Sequence, residues 1–554
     1  MFAITWLIAL VVAVTGVATV PQDVAQGAGT PRGFPSSHSG YHDYAEMTAE
    51  VLAVQDAHPD LVRRFSIGTS HEGRQLWAAR ITRNVSAEHA DRPAILFDSL
   101  HHGREHLTTE MTLSILHLLV DHHDALTPLG ARIRAILKST VVYLVFMVNP
   151  DGGEYDLSDD GSGGCPVTGF RCWRKNRQPN AGSTAVGTDI NRNYGYRWGC
   201  CGGSSGTPSS DTFRGARPFS TPEADALRRF VDGQRVNGVD RIKAHITFHT
   251  TGEKILWPYG YTRTDRPSDM TVDDHDTFVA MGRAMAALNG YTPEQSSDLY
   301  VTDGDQIDWM YGEHRAFSYT FEMYPGGGTT LARFYPDDAL IARETQRNHG
   351  AVLYLMERAA CPQGVLGAGR SAVHCGPFSD DFEVYRGSDT DPDGTDTATD
   401  GAWERGVVQR VVHDGGTKQP LGAASGRSAF VTGRLAGSTA FEGDLDGRST
   451  VLMRPFRLTA GVTYRVGFRG YLAHDATSDA GDGLRVSLVP ASGPAAPLFA
   501  LSGSASSVNA AWTSRSATFS VPLTGEYRLR LTAVDRAPAS LVEAGVDDLY
   551  VTPD

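Results

Sequence analysis

Between residues 41 and 360 the sequence alternates two hydrophobic patterns, and this alternation is the strongest constraint on the fold. Continuous apolar runs typical of buried strands occupy residues 93–100, 141–148, 242–248 and 317–323. Stretches typical of helices occupy residues 111–122, 223–234 and 343–358. Strands that alternate with helices predict an α/β domain in which helices flank both faces of a mixed, mainly parallel sheet.

The composition and the hydrophobic pattern change beyond residue 360. Residues 364–402 are rich in Gly, Ser, Thr and Asp and offer little that can build a core. Short runs with period-two alternation follow at residues 463–471, 484–488, 516–521, 527–534 and 549–552. Such runs between Gly-rich turns predict an all-β, jelly-roll-like sandwich. We therefore expect an α/β domain at 40–360, a linker at 361–379 and a sandwich domain at 380–554.

An apolar run over residues 2–20 is followed by small and polar residues that are typical of the far side of a cleavage site. This pattern predicts a secretory signal peptide within residues 1–30 and a secreted, extracellular protein. The run has no Lys or Arg on its N-terminal side and is nearly long enough to cross a bilayer, so an uncleaved anchor is the alternative.

The cysteines and the net charge narrow the class of protein. The six cysteines form neither C-x-x-C pairs nor a lone thiol, so disulfides are expected in an exported protein. Cys361 and Cys375 close a short loop and are the expected pair, whereas the other four can pair in three ways: Cys165, Cys172, Cys200 and Cys201. The formal net charge of −14 is spread along the chain without a basic run, which argues against a nucleic-acid partner.

A candidate metal motif follows the strand predicted at residues 93–100. His102 and Glu105 stand there in the segment SLHHGREH, at the strand end where α/β sheets commonly place active sites. The spacing lets both side chains reach one cation, but catalytic zinc needs a third protein ligand and an open position for water. Alone, His-x-x-Glu is a weak signal.

The motif belongs to a series of segments whose order and spacing resemble the zinc carboxypeptidase A/B family, in its bacterial secreted type. The segments, within residues 41–360, are FSIGTSHEGRQ (65–75), HGRE (102–105), NPDG (149–152), WRKNR (173–177), DINRNY (189–194), AHITFH (244–249), Tyr300 with GDQIDW (304–309), and YTFE (319–322). The resemblance implies a carboxypeptidase A-like fold and a zinc-dependent exopeptidase, a hydrolase acting on peptides with a free C-terminus.

The same resemblance implies which residues bind the metal. The ligands of one Zn²⁺ would be His102, Glu105 and His249, with water at the open position. The neighbouring His101 and His106 do not keep the register of the motif, so they are interpreted as packing or supporting residues.

Catalytic roles follow from the chemistry of peptide hydrolysis, which needs a base for the attacking water and positive charge at the developing oxyanion. By the resemblance, Glu322 is the general base and Arg174 stabilises the oxyanion. Outside this context, Arg174 would be interpreted as a surface ion-pair residue.

Substrate binding is assigned in the same way. A planar guanidinium suits a free α-carboxylate, and Arg192 is the residue placed to bind it. Asn191 and Tyr300 are expected to donate to the same carboxylate, with Arg104 available for more distant substrate backbone.

Specificity is predicted from Ile307, which falls where the family places the floor of the side-chain pocket. An apolar floor favours aromatic and aliphatic C-terminal residues. Asp303 and Asp305 lie close by in sequence, and a carboxylate at the pocket wall would also accept Lys or Arg.

Two features depart from many relatives. Thr251 stands where the animal enzymes carry a tyrosine, and fewer than about forty residues precede the catalytic domain, so activation by removal of a large pro-domain is not expected.

The C-terminal region resembles, more weakly, the jelly-roll modules of secreted bacterial hydrolases. The resemblance rests on DDFE (380–383) and VDDLYV (546–551), whose paired carboxylates can share a Ca²⁺ ion. Alternatively, Asp389, Asp391, Asp393 and Asp396 only keep a linker solvated. The module is expected to bind carbohydrate or a surface, or to stabilise the enzyme, and a monomer is expected.

The sequence thus predicts a secreted metallocarboxypeptidase that prefers hydrophobic C-terminal residues and accepts basic ones in addition. Two alternatives remain: a carboxypeptidase for peptidoglycan stem peptides, and an inactive extracellular binding protein. The second alternative is expected to have lost Glu322 or a zinc ligand, and all of them are present.

Overall fold

The computed structural model describes residues 34–554, apart from 90–91, 159–163, 237, 329, 372 and 537–539. The signal peptide predicted at residues 1–30 lies outside these described residues. By residue contacts, Gly33–Asp554 form one unit. Among the described helices, none combines the length and apolarity that a bilayer span requires.

A mixed sheet organises the first part of the chain. Its strands are β1 (Val62–Thr69), β2 (Gln75–Ile81), β3 (Ala94–Asp98), β4 (Val141–Val145), β7 (Ile242–Thr250), β8 (Lys254–Trp257), β9 (Thr292–Gln295) and β10 (Phe317–Met323), with β5 (Arg235–Val236) and β6 (Val239–Asp240) forming a separate small hairpin. The order in the sheet is β1-β2-β4-β3-β7-β10-β8-β9. Strands β4, β3, β7 and β10 run parallel to their neighbours in that group, and β1, β2 and β8 pair antiparallel.

Helices cover both faces of this sheet. The described helices of this part are α1 (Tyr44–Ala57), α2 (Leu107–His122), α3 (Pro128–Ser139), α4 (Pro150–Asp156), α5 (Pro222–Asp232), α6 (Val272–Asn289), α7 (Ser296–Leu299), α8 (Gln306–His314), α9 (Ile341–Gln346), α10 (His349–Met356) and α11 (Ala368–Ser371). Short 3₁₀ turns lie at Ser36–His38, Ile190–Arg192, Leu331–Phe334, Asp338–Leu340 and Pro362–Leu366.

Two apolar cores confirm the predicted layering. Strands β3 and β4 are buried along their whole length, as expected for strands covered on both faces. One face packs against α1, α2, α3, α6 and α10 through residues such as Met111, Phe278 and Leu353. The other packs against α5 and α8 through Leu227 and Trp309. The α/β fold class predicted from the sequence is therefore confirmed.

Local sequence fixes where several helices begin. Thr127, Asn149 and Thr221 each accept a hydrogen bond from a backbone N–H in the first turn, and each precedes a proline at the first helical position. Asp43 and Glu46 form a reciprocal capping box at the start of α1.

The helical stretch predicted over residues 343–358 is present but divided, because α9 and α10 are separated at Arg347 and Asn348. The buried Asn348 side chain donates to the Glu344 carbonyl at 2.9 Å and to the Tyr291 hydroxyl at 3.2 Å. A polar side chain with these partners was not visible in the apolar periodicity.

The C-terminal part is a sandwich of two antiparallel sheets, as predicted. Its strands are β11 (Phe378–Asp380), β12 (Ser388–Thr390), β13 (Trp403–Gly406), β14 (Val411–His413), β15 (Gly416–Gln419), β16 (Ala429–Thr432), β17 (Arg448–Met453), β18 (Phe456–Leu458), β19 (Thr463–His474), β20 (Gly483–Pro490), β21 (Ala496–Ser502), β22 (Thr513–Ser520), β23 (Gly525–Val534) and β24 (Val542–Pro553). One sheet has the order β13-β16-β24-β19-β22, the other β12-β17-β23-β20-β21, and an apolar core lies between them.

The acidic segment after residue 387 is part of this sandwich and not only a solvated linker. Strand β12 pairs with β17, and the Asp396 carboxylate accepts hydrogen bonds from the Thr450 backbone N–H at 2.6 Å and from its hydroxyl at 2.8 Å. Asp389 forms an ion pair with Arg528 at 2.5 Å. Side-chain partners on the neighbouring strands therefore hold this segment in place.

A polar seam joins the two parts of the chain. Arg315, at the end of α8, forms a buried ion pair with Glu383 of the sandwich, with Nη2 3.2 Å from Oε2. A cavity of about 110 Å³ beside it is lined by charged groups from both sides, including Lys243, Asp380 and Arg386. Burial, aided by Arg386, lowers the pKa of Lys243 to about 7.

Candidate active site

The carboxyl ends of the parallel strands bring the predicted chemistry to one edge of the sheet. The segment that follows β3 carries His102 and Glu105, β7 carries His249 near its end, and β10 carries Glu322. His249 and Glu322 are directly paired in the β7–β10 register, so both side chains leave the same face of the sheet. This edge is where α/β folds place ligands.

The three predicted metal ligands converge. One ligand atom each from His102, Glu105 and His249 lies within 4.8 Å of the others, and all three residues are buried. His102 Nδ1 is 2.7 Å from Glu105 Oε1, and His249 Nδ1 is 2.9 Å from Glu105 Oε2. The two Nδ1 atoms are 3.2 Å apart, so both imidazoles direct the same nitrogen toward a common point.

The second ring nitrogen of each imidazole, Nε2, also has a polar partner. His102 Nε2 lies 3.1 Å from Asp189 Oδ1, and His249 Nε2 lies 3.3 Å from the Asn191 amide nitrogen. A carboxylate on the second nitrogen orients a metal-bound histidine and raises its basicity. Asp189 has this role in the geometry and was not singled out in the sequence, although it begins the DINRNY segment.

This donor set fits zinc. Two imidazole nitrogens and one carboxylate leave an open position, as catalytic zinc sites do. Burial alone would raise the pKa of Glu105, but the neighbouring His102 and His249 outweigh burial, and the pKa lies well below its usual range. Burial also lowers the pKa of His249, which keeps that ring neutral and able to donate its lone pair.

Glu322 and Arg174 border the same cavity as the three ligands. Burial, together with the nearby Glu105 carboxylate, raises the pKa of Glu322 to about 8. Positive charge at the metal site acts in the opposite direction, because it favours the ionised carboxylate. Arg174 is fixed by Asp189, whose Oδ2 accepts from Nε at 3.0 Å and from Nη2 at 2.9 Å.

The cavity of about 330 Å³ extends from the metal ligands to most of the predicted substrate-binding residues, namely Asn191, Arg192, Tyr300, Asp305 and Ile307. Ile307 is only 2% exposed and forms part of an inner wall, whereas Tyr300 is 47% exposed and lies at the rim. The Arg192 guanidinium carbon lies 6.0 Å from the centre of the Tyr300 ring. A residue bound here would contact the metal ligands, a cation and an apolar wall together.

Arg104 and Asp303 lie outside this lining. The Arg104 guanidinium donates to the Cys172 carbonyl at 3.1 Å and packs over the Phe334 ring at 4.5 Å. The Asp303 carboxylate is fully buried and accepts hydrogen bonds from the loop that contains Cys201 and Gly203. Of the two carboxylates considered for the pocket wall, the structure brings Asp305 to the cavity.

His101 and His106 have partners away from the three metal ligands, as their sequence register predicts. His101 Nε2 is 2.8 Å from the Tyr194 hydroxyl, and His106 Nε2 is 2.9 Å from Asp156 Oδ2. Burial lowers the pKa of His101 to about 3, so this ring is neutral.

Comparison with known proteins agrees with the geometry. The family model described as "Zinc carboxypeptidase" (Peptidase_M14) matches residues 47–350, more than half of the chain. The chain belongs to the M14 zinc carboxypeptidase family. It is 45% identical over 334 residues to a "Zinc carboxypeptidase" of Saccharothrix mutabilis subsp. capreolus, covering 60% of this chain and 73% of that protein.

More distant relatives include animal enzymes. The chain is 30% identical over 294 residues to "Carboxypeptidase A1" of Sus scrofa, covering 52% of this chain and 64% of that one. A crystal structure of carboxypeptidase A from Helicoverpa armigera covers 58% of this chain and 74% of its own, with 25% identity and a TM-score of 0.49.

Family membership confirms the predicted class of activity: the enzyme is a hydrolase, a zinc-dependent carboxypeptidase. The calcium ion predicted for the C-terminal module is not supported by these comparisons. Within the part of the chain that the structure describes, His102, Glu105 and His249 are the only group of three or more His, Cys, Asp or Glu residues arranged to hold a metal ion.

Proposed function

We propose that the enzyme removes single residues from the C-terminus of peptides, with preference for large apolar residues and slower release of basic ones. The observation that carries this proposal is the shared cavity, in which Glu322 and the zinc ligands stand at one end and Arg192 and Ile307 at the other. A free carboxylate on Arg192 would place the preceding peptide bond toward the metal site. Internal peptide bonds offer no such carboxylate.

When bound, zinc supplies a Lewis acid that lowers the pKa of water and polarises a carbonyl. Glu322 would accept the proton of the attacking water and deliver it to the leaving amine. Arg174, held by Asp189, presents fixed positive charge to the carbonyl oxygen as that oxygen becomes negative. Because Asp189 also contacts His102, one carboxylate orients both the metal site and the oxyanion site.

Recognition of the carboxylate is assigned to Arg192, with Tyr300 closing over it from the rim. Arg192 Nε donates to the Gly203 carbonyl at 3.2 Å and Nη1 to the Asn191 carbonyl at 2.5 Å. Within the described residues, Nη2 has no hydrogen-bond acceptor, so it is available to the substrate. Exposure of the Tyr300 ring leaves room for the side chain to move toward a bound ligand.

The lining of the side-chain pocket supports a preference for apolar C-terminal residues and weaker binding of basic ones. Ile307 and Leu256 line it together with Asp305. Asp305 Oδ1 accepts from the Asp308 backbone N–H at 2.9 Å, and its other oxygen accepts from the Thr302 hydroxyl. Burial raises the pKa of Asp305, which favours its neutral form. A basic side chain would gain less from this carboxyl than from an ionised one.

Export from the cell is part of the proposal. All six cysteines are paired, as Cys165–Cys172, Cys200–Cys201 and Cys361–Cys375. The third pair confirms the sequence prediction. Disulfides persist in oxidising compartments, which supports an extracellular peptide substrate.

The test is a panel of peptides that differ only in the last residue, Phe, Leu, Arg or Glu, together with a C-terminally amidated Phe peptide. Each is incubated with purified enzyme with and without a zinc chelator, and released amino acids are quantified. We expect chelator-sensitive release of Phe and Leu, slower release of Arg and none from the amidated peptide. Rapid cleavage of the amidated peptide would contradict the role of Arg192.

The variant Asp305→Asn separates the two components of specificity. It should lower kcat/KM for Arg more than for Phe, because only the basic residue uses the carboxylate. Equal effects on both substrates would remove Asp305 from specificity. No release from any peptide, with zinc shown to be bound, would contradict the exopeptidase proposal.

A further inference from the structure

Cys200 and Cys201 are adjacent in sequence and bonded to each other. The bond closes a small ring that includes the peptide between them. A disulfide restricts the unfolded chain more when it closes a longer loop, and this one encloses no intervening residue, so it adds little stability by that route. Its effect is local: it constrains the backbone of the surrounding loop, residues 199–204.

That backbone forms a binding site for one carboxylate. The N–H groups of Gly199, Cys201 and Gly203 donate to Asp303 at 3.2, 3.1 and 2.9 Å. The Ser204 hydroxyl donates to the same carboxylate. Asp303 is fully buried, so these four donors replace its hydration. The N–H groups of Gly199, Cys201 and Gly203 all point toward the Asp303 carboxylate only while the loop keeps this conformation.

The same loop holds Arg192. The Gly203 carbonyl accepts the hydrogen bond of Arg192 Nε at 3.2 Å. Gly203 also packs directly on the backbone of Thr302, where an added Cβ would lie 2.4 Å from the Thr302 Cα. Two contacts with the same turn, the hydrogen bond to the Asp303 carboxylate and the packing on Thr302, fix the position of the Gly203 carbonyl.

The turn that carries Asp303 also contacts residues that neighbour Arg192 in sequence. The Gly304 carbonyl accepts from the Tyr194 backbone N–H at 2.9 Å, and the Gln306 N–H donates to Asn191 Oδ1 at 2.9 Å. Asn191 and Tyr194, which lie one and two residues from Arg192 in sequence, are therefore tied to the turn that the disulfide loop binds.

We propose that the Cys200–Cys201 disulfide and Asp303 are positioning residues for Arg192. They fix the Gly203 carbonyl, which orients the guanidinium so that Nη2 faces the carboxylate of the substrate. The proposal rests on the assigned role of Arg192 in carboxylate binding. Loss of either positioning group weakens binding of a free C-terminus and leaves the zinc ligands, Glu322 and Arg174 in place.

The test compares Cys200→Ser/Cys201→Ser and Asp303→Asn with wild type, using a peptide that ends in Phe. We expect KM to rise about 10-fold with kcat within about twofold, since misplacing a binding group mainly weakens ground-state and transition-state binding alike. Zinc content and the melting temperature are measured on every variant. The control is Cys361→Ser/Cys375→Ser, a pair outside the catalytic cavity, which should keep the wild-type KM.

A double-mutant cycle with Arg192→Gln identifies the route of the effect. Arg192→Gln alone should raise KM, and adding Cys200→Ser/Cys201→Ser should raise it no further. If the disulfide variant raises KM by the same factor in both backgrounds, it does not act through Arg192 and the inference is wrong. If Arg192→Gln leaves KM unchanged, the assigned role of Arg192 is itself wrong. An unchanged KM in both Cys200→Ser/Cys201→Ser and Asp303→Asn overturns the inference while leaving that role intact.

Discussion

Asp189 shows how much one buried carboxylate contributes at this site. One oxygen lies 3.1 Å from His102 Nε2, and the other accepts two hydrogen bonds from Arg174. Arg174 and His102 hold the pKa of Asp189 well below its usual range, although burial opposes them. The side chain therefore stays ionised and fixes a metal ligand and a cation together.

Asp189→Asn should weaken zinc binding by about 10–100-fold, because an amide orients His102 less well and no longer raises its basicity. The dissociation constant for zinc is measured by competition with a chromophoric chelator. An exposed residue, Asp232→Asn, is the control. Wild-type zinc affinity in Asp189→Asn would contradict this role.

Glu322→Gln should lower kcat by about 10²–10⁴-fold, because the amide cannot take a proton from water. Zinc content should not change, since Glu322 is not among the three converging ligands. Steady-state kinetics and metal analysis are measured on the same sample. Glu357→Gln, which alters a surface residue paired with Arg132, is the control, and comparable activity in the two variants would refute the assignment.

At the scale of single residues, the resemblance to the zinc carboxypeptidases predicted the metal ligands, whereas the His-x-x-Glu spacing alone was a weak signal. His102, Glu105 and His249 were found and do converge. Asp189 was missed, and the pairing of Cys200 with Cys201 was one of three alternatives that the sequence left open. A supporting hydrogen bond and a cysteine pairing both depend on how loops meet in space. The possible pocket role of Asp303 failed for the same reason, since its donors lie about a hundred residues earlier in the chain.

Helix α5 ties together the turn between β1 and β2 and the segment that follows Arg174. Glu223 in its first turn accepts from the His71 backbone N–H at 2.9 Å and from the Asn176 amide at 2.9 Å. Burial raises the pKa of Glu223 to about 7. The helical stretch predicted at residues 223–234 agrees with α5. In contrast, the break between α9 and α10 depends on partners of Asn348 that lie elsewhere in the sequence.

The raised pKa of Glu223 makes stability depend on pH. Between pH 4.5 and about 7 the folded state binds more protons at this group than the unfolded state, so the free energy of unfolding falls as pH rises through that window. The shift corresponds to an upper limit of about 3 kcal/mol. Glu223→Gln should flatten this dependence in urea unfolding at pH 5 and 7.5. An unchanged pH dependence, compared with wild type, would refute it.

The whole molecule is joined through the seam at Arg315 and Glu383. Burial raises the pKa of Glu383 to about 7, and the positive charge of Arg315 opposes this increase. The hydrophobic patterns of the sequence predicted the two domains but not this contact. A hydrophobic period of 2 or 3.6 residues identifies strands and helices and does not indicate which surfaces of two domains meet.

Arg315→Met should lower the free energy of unfolding by about 3 kcal/mol, since it leaves a buried carboxylate without its cation. Arg315→Met/Glu383→Gln should recover much of this loss, because the second change removes the uncompensated charge. Arg434→Met, which breaks an exposed pair with Glu404, should cost less than about 1 kcal/mol. Similar losses in the two single arginine variants, measured by denaturant unfolding, would contradict the burial argument.

Strand β24 lies in the interior of its sheet, between β16 and β19, and also pairs with β11. During synthesis, all strands of the α/β sheet have left the ribosome once residue 323 has emerged, whereas the sandwich still lacks an interior strand until residues 542–553 follow. The two parts therefore have different earliest times of folding. Until β24 is present, β16 and β19 lack the strand that both of them pair with, and unpaired strand edges of this kind favour aggregation.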